Sequence, residues 1–187
     1  FKELEPDIDV FVIHPVGALI AELMKIDIKA KYKQFILDLI ITYSTNRIKA
    51  IIKETKIGRS KIAIENVEFP FDRTLDIIKT IKGVKLCIDT AHFLGGYSGE
   101  YDIVEVAKKY LDITAEIHLQ DYSPTPGADH AALGTSNKFP LDFLNVINER
   151  NFGGPIVFEL TFAQAFESIE FIKKKIPLLK VPDVKKN

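Results

Sequence analysis

The sequence predicts an α/β fold in which parallel strands alternate with helices and form the wall of a β/α barrel. Short apolar runs recur along the chain, and helical patterns separate them. The clearest run leads through Leu86 and Ile88 into Cys87–His92 (CIDTAH), ahead of a glycine-rich segment. Nearly every run ends at an acidic or imidazole side chain. Because the carboxyl ends of barrel strands meet on one face, where active sites lie, this regularity favours a barrel.

The first predicted strand is Ile8–Ile13 (IDVFVI), which ends at His14-Pro15 because proline stops the ladder. The structure of the apolar residues 16–28 stays open. A helix is predicted from Ala30 to about Lys53. Its apolar side chains form one stripe of the kind that faces a core. The members of this stripe are Tyr32, Phe35, Ile36, Leu39, Ile40 and Tyr43.

Four further strands are predicted at 61–64, 84–89, 113–117 and 155–158. The polar residues at their ends are Glu65, Asp89, His118 and Glu159. Asp72 is predicted to cap the helix after the first of these, and Ser98 or Gly99 to open the helix after the second. Apolar side chains mark the inner faces of the later helices at Leu75, Ile78, Ile81, Ile103, Val106, Ala107, Tyr110, Leu141, Leu144, Ile147, Phe166, Ile169 and Ile172.

The loop 122–138 contains one weak strand-like unit before Gly134, which brings the predicted units to six. A closed barrel has eight strands and about 250 residues. A six-stranded doubly wound sheet is the alternative, but that fold does not need His or Glu at nearly every strand end. We see no linker or low-complexity tract, so we expect residues 1–187 to form one domain.

Composition excludes several classes of function. The net charge of −1 provides no bulk attraction for nucleic acid or an anionic membrane. No apolar run approaches the roughly 20 residues of a membrane span. The single cysteine, Cys87, cannot form a disulfide within the chain, which predicts a reducing, cytoplasmic location.

The polar strand ends predict a metal site. All four histidines belong to this set, with His14 and His118 at strand ends and His92 and His130 just beyond them. Together with Glu65, Asp89 and Glu159 they offer nitrogen and oxygen ligands, which suit Zn, Mn, Mg or Co better than a thiolate site does. Singly, each histidine is more often a structural residue and each acid a solvated one. If the strand ends were simply exposed to solvent, they would carry Lys and Arg as often as His and Glu, and none of these strands ends in Lys or Arg.

Six short motifs follow one another in a recognisable order. They are His14-Pro15, Ile64-Glu65-Asn66, Cys87-Ile88-Asp89-Thr90-Ala91-His92, His118-Leu119-Gln120-Asp121, His130-x-x-Leu133-Gly134 and Phe158-Glu159. In this order they resemble the endonuclease IV / xylose isomerase-like TIM-barrel superfamily, which includes sugar phosphate isomerase/epimerase-like proteins and AP endonuclease family 2. The resemblance begins at the family's third strand. We therefore expect a TIM barrel that lacks its first two strands in this chain, with free edges that favour association, for example with a second copy.

The resemblance implies a divalent-metal site at the barrel mouth. The ligands shared by the sugar isomerases and epimerases match Glu65, Asp89, His118 and Glu159. The additional ligands of the endonucleases match His14, His92 and His130. We also expect Asn66, Asp121 and Asp129 to contact the substrate. For the two aspartates, an ordinary place in a solvated loop is the alternative.

Three departures favour the isomerase branch over the endonucleases. Ala128 stands where the endonucleases carry an aspartate, and Asp129 is one residue out of register. Leu160-Thr161 replaces their Thr-Pro, and their glycine-rich insertion after Glu65-Asn66 is missing.

Two enzymatic hypotheses and one non-enzymatic hypothesis follow from the resemblance. In the first, a metal-dependent isomerase or epimerase acts on a sugar or sugar phosphate through a metal-stabilised enediolate. Glu65 and Glu159 then move the proton, and His92 orients a hydroxyl. In the second, clustered zinc ions activate hydroxide to cleave DNA beside an abasic site. The third is a metal-binding barrel without turnover.

Overall fold

The computed structural model describes residues 8–17, 20, 26–67, 69–125, 129–177 and 179. Among these residues, five parallel strands form the main sheet: β1 (Phe11–Ile13), β2 (Ile62–Glu65), β3 (Lys85–Asp89), β4 (Thr114–His118) and β7 (Ile156–Val157). They lie in the order β1-β2-β3-β4-β7, which never reverses. A doubly wound sheet would reverse its order at a switch point. The barrel prediction is therefore confirmed, as an incomplete TIM barrel.

The parallel register brings the strand ends to one edge of the sheet. Asp89 pairs with His118 across β3 and β4, and Glu65 pairs with Cys87 across β2 and β3. On the far side of β4, His118 pairs with Val157, two residues before Glu159. The glycine at 154 permits this last pairing, because a Cβ there would collide with the backbone carbonyl oxygen of Ala115.

The weak sixth strand is not part of the barrel wall. β6 (His130–Ala131) pairs in an antiparallel manner with β5 (Asp121–Tyr122), and the two form a separate small sheet. The prediction of six barrel strands is therefore wrong, and the wall that the described residues form has five. The small sheet folds the loop back, which places His130 beside the carboxyl ends of the barrel strands.

Helices alternate with the barrel strands in the described part of the chain. They are α1 (Ala30–Thr55), α2 (Phe71–Thr80), α3 (Thr90–Leu94), α4 (Ile103–Tyr110), α5 (Leu141–Glu149) and α6 (Phe162–Lys175). Short 3-10 turns at Arg59–Lys61 and Leu111–Ile113 lead into β2 and β4. Among the described residues, no helix has both the length and the apolar character needed to cross a membrane.

The hydrophobic core lies between the sheet and the helices. Ile64, Leu86 and Ile117 from the strands and Phe71 and Phe143 from the helices are completely buried. The predicted inner faces of α2, α4, α5 and α6 are buried or pack against this core, except for Phe166 of α6, which is half-buried and does not belong to the core cluster. Burial of these side chains provides most of the free energy that holds the helices on the sheet.

The predicted inner stripe of α1 is wrong for four of its six members, which have relative exposures of 53% for Tyr32, 61% for Phe35, 54% for Leu39 and 67% for Tyr43. The other two, Ile36 and Ile40, are half-buried, and Ile40 packs against a small core cluster. The helix instead buries the face that carries Leu37, Ser44, Thr45 and Ile48. Because two residues of that face are hydroxylated, apolar periodicity selected the wrong side of the helix.

Two predicted helix starts also differ. α2 begins at Phe71, whose N–H donates to the Ser98 carbonyl (2.9 Å), so Asp72 lies in the first turn and not at the cap. α4 begins at Ile103 because the Asp102 carboxylate accepts hydrogen bonds from the N–H groups of Val104 (2.8 Å) and Glu105 (3.3 Å). Residues 90–94 form the short helix α3, which the sequence did not predict.

The last strand is an open edge in the described part of the chain. Ile156 is 43% exposed and Val157 is 36% exposed, and Phe162 at the start of α6 is 79% exposed. A bare parallel edge of this kind favours association. That a partner covers this edge stays a prediction.

Candidate metal centre

Four side chains from four strands meet at the carboxyl edge of the sheet. Glu65 ends β2, Asp89 ends β3, His118 ends β4 and Glu159 follows β7. One ligand atom from each lies within 4.8 Å of the others. Glu65, Asp89 and His118 are at least 96% buried, whereas the Glu159 side chain is 39% exposed. This spacing places all four within reach of a single cation.

The His118 ring lies at the centre of this group. Its Nδ1 atom is 3.3 Å from Glu159 Oε2, 3.5 Å from Glu65 Oε1 and 3.7 Å from Asp89 Oδ2. This nitrogen is buried, and among the described residues it has no hydrogen-bond partner. A buried nitrogen lone pair and three carboxylate oxygens around one point fit a divalent cation, which would satisfy all of them.

The charges of the group are strongly coupled. Burial by itself lowers the pKa of His118, but the nearby side chains of Asp89, Cys87, Glu159 and Glu65 outweigh burial and raise this pKa. Burial opposes ionisation of Glu65, yet the nearby imidazoles of His118 and His14 lower the pKa of its carboxyl to about 2. The nearby His118 ring likewise lowers the pKa of Glu159. Without a cation, a positively charged His118 therefore neutralises part of the carboxylate charge.

A second group lies beside the first and shares Asp89 with it. Ligand atoms of Asp89, His92 and His130 also lie within 4.8 Å of one another. His92 Nδ1 is 2.8 Å from the Asn66 carbonyl oxygen, so this nitrogen carries the proton and donates it. Nε2 of His92 therefore keeps its lone pair, and it lies 3.4 Å from Nε2 of His130.

His14 approaches the first group from the open side. Its Nε2 atom is 2.9 Å from Glu65 Oε2, although 61% of the histidine side chain is exposed. The nearby Glu65 carboxylate raises the pKa of His14. On its other side lies an apolar groove of about 600 Å³, lined in part by Leu39 and Tyr43 of α1.

Asn66 and Asp121 are fully buried and bound to the protein itself. The Asn66 amide donates to the Asp89 carbonyl (3.0 Å) and accepts from the Asp89 N–H (2.7 Å). The Asp121 carboxylate accepts from the Gly134 N–H (3.0 Å), the Ser136 N–H (3.0 Å) and the Ser136 hydroxyl (2.6 Å). These contacts favour positioning roles, and substrate contact by either residue stays a prediction.

Asp129 follows residues 126–128, which lie outside the described residues and include Ala128. The Asp129 carbonyl accepts from the Ser123 N–H (3.0 Å), a contact that holds the loop beside β5. Its predicted contact with substrate is untested.

Sequence reasoning missed Gln120 and Glu116. Gln120 is fully buried, and its amide nitrogen donates to Asp89 Oδ2 (2.7 Å) while its amide oxygen accepts from the Glu159 N–H (2.9 Å). Glu116 lies two residues before His118, and its Oε1 is 3.2 Å from His118 Nε2. Strand alternation could have identified Glu116, because residues two apart share a face.

Cys87 lies deeper on the same side, with Sγ in reach of Glu65 and His118. Burial raises the pKa of its thiol to about 12, so the sulfur stays protonated at neutral pH. The candidate ligand atoms at the mouth are therefore nitrogen and oxygen, and the predicted binding of Zn, Mn, Mg or Co stays a prediction.

A family model described as "Xylose isomerase-like TIM barrel" matches residues 38–175, which is most of the chain. The chain belongs to this family. A search of curated proteins found no significant match.

Solved structures agree with the xylose isomerase-like fold. A D-tagatose 3-epimerase-like protein superposes with a TM-score of 0.62 at 22% identity, over 92% of this chain and 63% of that one. A xylose isomerase domain protein from Planctomyces limnophilus superposes with a TM-score of 0.52 at 19% identity, over 76% and 54% of the two chains. For the 3-keto-D-glucoside 4-epimerase of E. coli the TM-score is 0.50 at 16% identity, over 74% and 55%. This chain therefore spans less than two thirds of the length of these structures.

Proposed function

We propose that this xylose isomerase-like chain carries the metal-binding and acid–base residues of a sugar or sugar-phosphate isomerase or epimerase. The observation that carries the proposal is the buried His118 Nδ1, which faces three carboxylate oxygens and has no hydrogen-bond partner in the described part of the chain. In this proposal, Glu65, Asp89, His118 and Glu159 hold one divalent cation. When bound, the cation would supply positive charge that stabilises negative charge on substrate oxygens.

Glu65 and Glu159 would move the proton of the substrate. They come from the two outer strands of the four, so they flank the position of the cation. One carboxylate takes the proton from the carbon beside the carbonyl. The C–H electrons form the C=C bond of an enediolate, and the carbonyl π electrons move to the carbonyl oxygen. A proton from the other glutamic acid, returned to the opposite face of the same carbon, gives an epimer. A proton returned to the former carbonyl carbon gives an isomer, with the hydroxyl proton passing to the other oxygen.

His92 would orient a hydroxyl group of the sugar. Because its Nδ1–H is donated to the Asn66 carbonyl, Nε2 is left as an acceptor at the mouth of the site. A substrate hydroxyl can donate to that nitrogen, which would fix the sugar relative to Glu65 and Glu159.

Solvent deuterium exchange tests this proposal without knowledge of the sugar. We expect the Mn²⁺- or Co²⁺-loaded protein, incubated in D₂O with a panel of ketoses and ketose phosphates, to incorporate deuterium beside the carbonyl of at least one of them, as seen by NMR. Excess chelator should abolish the exchange. Cation binding without exchange on any substrate would contradict the isomerase proposal and support a metal-binding barrel without turnover.

Cation binding should release protons. The raised pKa of His118 leaves its ring protonated at neutral pH in the cation-free protein, and a nitrogen that binds a cation must lose that proton. We expect release of about one proton per cation at pH 7, and an affinity that rises with pH. Titration calorimetry in two buffers with different ionisation enthalpies measures this number, and equal heats in both buffers would contradict it.

A second candidate function, zinc-dependent cleavage of abasic DNA, is supported by the Asp89, His92 and His130 group. That group offers ligands for a further ion beside the first. In the sequence, Ala128 and the absent insertion oppose this candidate.

We expect no salt-dependent binding to an abasic duplex, because the net charge of −1 provides no bulk attraction for phosphate. Fluorescence anisotropy at increasing salt measures the binding, with endonuclease IV as the positive control. Chelator-sensitive nicking of the duplex by the zinc-loaded protein would instead favour the nuclease.

A further inference from the structure

One buried carboxylate lies directly beneath the proposed metal group. Glu116 precedes His118 by two residues on β4, and alternation places both side chains on one face of the strand. The residues two positions before Glu65, Asp89 and Glu159 are Ala63, Cys87 and Val157, and none of them carries a charge. Glu116 is thus the only one of these four residues that carries a carboxylate.

A carboxylate that is only 9% exposed is costly unless it is hydrogen-bonded. The group that meets Glu116 is the His118 ring, with 3.2 Å between Oε1 and Nε2. The other ring nitrogen, Nδ1, faces Glu65, Asp89 and Glu159 on the opposite side. Each nitrogen of this imidazole therefore has its own carboxylate environment, one below the mouth and one at the mouth.

We propose that Glu116 is a positioning residue that accepts the Nε2–H of His118 and so presents the Nδ1 lone pair to the cation. The inference rests on the proposed metal site. A neutral imidazole has one lone pair, and the partner of one nitrogen decides which nitrogen keeps it. Glu116 also fixes the rotation of the ring, so the lone pair points towards the three carboxylates.

The test compares Glu116→Gln, Glu116→Ala and the surface control Glu105→Gln, whose side chain is 68% exposed in the wild type. Loss of an outer hydrogen-bond partner weakens metal binding by roughly 10–100-fold. We expect Glu116→Ala to weaken Mn²⁺ binding within that range and Glu116→Gln to weaken it less, because glutamine keeps an acceptor oxygen. Glu105→Gln should bind like the wild type. Titration calorimetry measures all four proteins.

A purely electrostatic effect would be different. If Glu116 acted only through its negative charge, the Gln and Ala variants would lose the same affinity. Equal losses would therefore overturn the positioning role, and so would wild-type affinity in Glu116→Gln and Glu116→Ala. Should Glu116→Ala fail to fold by circular dichroism, Glu116→Leu takes its place as the variant without an acceptor.

Histidine NMR provides a second readout. With only four histidines, ¹H–¹⁵N spectra of the Zn²⁺-loaded protein can resolve each ring, and His118→Gln assigns the peak. We expect His118 to carry its proton on Nε2 in the wild type, and that signal to shift or broaden in the Glu116 variants. A proton on Nδ1, or spectra unchanged by the variants, would overturn the inference. A wild-type protein that binds neither Mn²⁺ nor Zn²⁺ would overturn the proposed metal site as well. Cation binding with the same affinity in the wild type and the Glu116 variants would overturn this inference alone.

Discussion

Glu159→Gln should lose divalent-cation binding while the protein stays folded. The substitution removes one of the three carboxylates around His118 Nδ1 and keeps the shape of the side chain. Loss of a residue that only hydrogen-bonds to a metal ligand weakens metal binding by up to roughly 100-fold. Because Glu159 is itself a proposed ligand, we expect Mn²⁺ affinity to fall by more than that. The fold should survive, since the hydrogen bond from the Glu159 N–H to Gln120 is a backbone contact. Titration calorimetry measures the affinity, and circular dichroism the fold.

His130→Gln is the matched comparison. His130 belongs to the second group, with Nε2 3.8 Å from Asp89 Oδ2, and it makes no contact of this kind with His118 among the described residues. Under the isomerase proposal, His130→Gln should bind the first cation nearly as the wild type does. Under the clustered-zinc alternative, His130→Gln should lose as much cation affinity as Glu159→Gln does. Unchanged affinity in Glu159→Gln would remove this residue from the proposed site.

Phe71→Ala should strongly destabilise the barrel. Phe71 at the start of α2 is completely buried, and its ring meets those of Phe93, Tyr101 and Tyr110 edge-on at centroid distances of 4.9, 5.2 and 5.6 Å. Removal of a buried phenylalanine ring costs the lost transfer energy plus that of the cavity, about 3–5 kcal/mol. Urea unfolding followed by circular dichroism measures the free energy of unfolding.

Phe162→Ala provides the control for this measurement. Phe162 is 79% exposed, so the same chemical change should alter the free energy of unfolding by less than about 0.5 kcal/mol. A loss in Phe71→Ala below about 1 kcal/mol would mean that the aromatic cluster can collapse into the space, against the packing described here.

Sequence periodicity located well the helices whose inner faces are mainly apolar, such as α2, where Thr74 is the single buried hydroxylated residue. Leu75, Ile78 and Ile81 were predicted to face inward, and all three are buried. Periodicity failed on α1, where Ser44 and Thr45 form part of the buried face and an apolar stripe remains exposed. Hydropathy alone cannot rank two faces of a helix when the neighbouring surface accepts small hydroxylated side chains.

The sequence by itself determined the order of the strands and the polar residue at the end of each, because alternating apolar runs and helices allow few topologies. It could not determine which nitrogen of His118 faces the carboxylates, nor that Glu116 lies beneath the ring and Gln120 joins Asp89 to Glu159. Some of those contacts join residues that are far apart in the chain, and the others depend on the rotamer of a side chain. The tertiary structure decides which contacts form, because the parallel register places Asp89 beside His118 at one edge of the sheet. A hydrogen bond forms only when the two atoms lie within a few tenths of an ångström of the ideal distance.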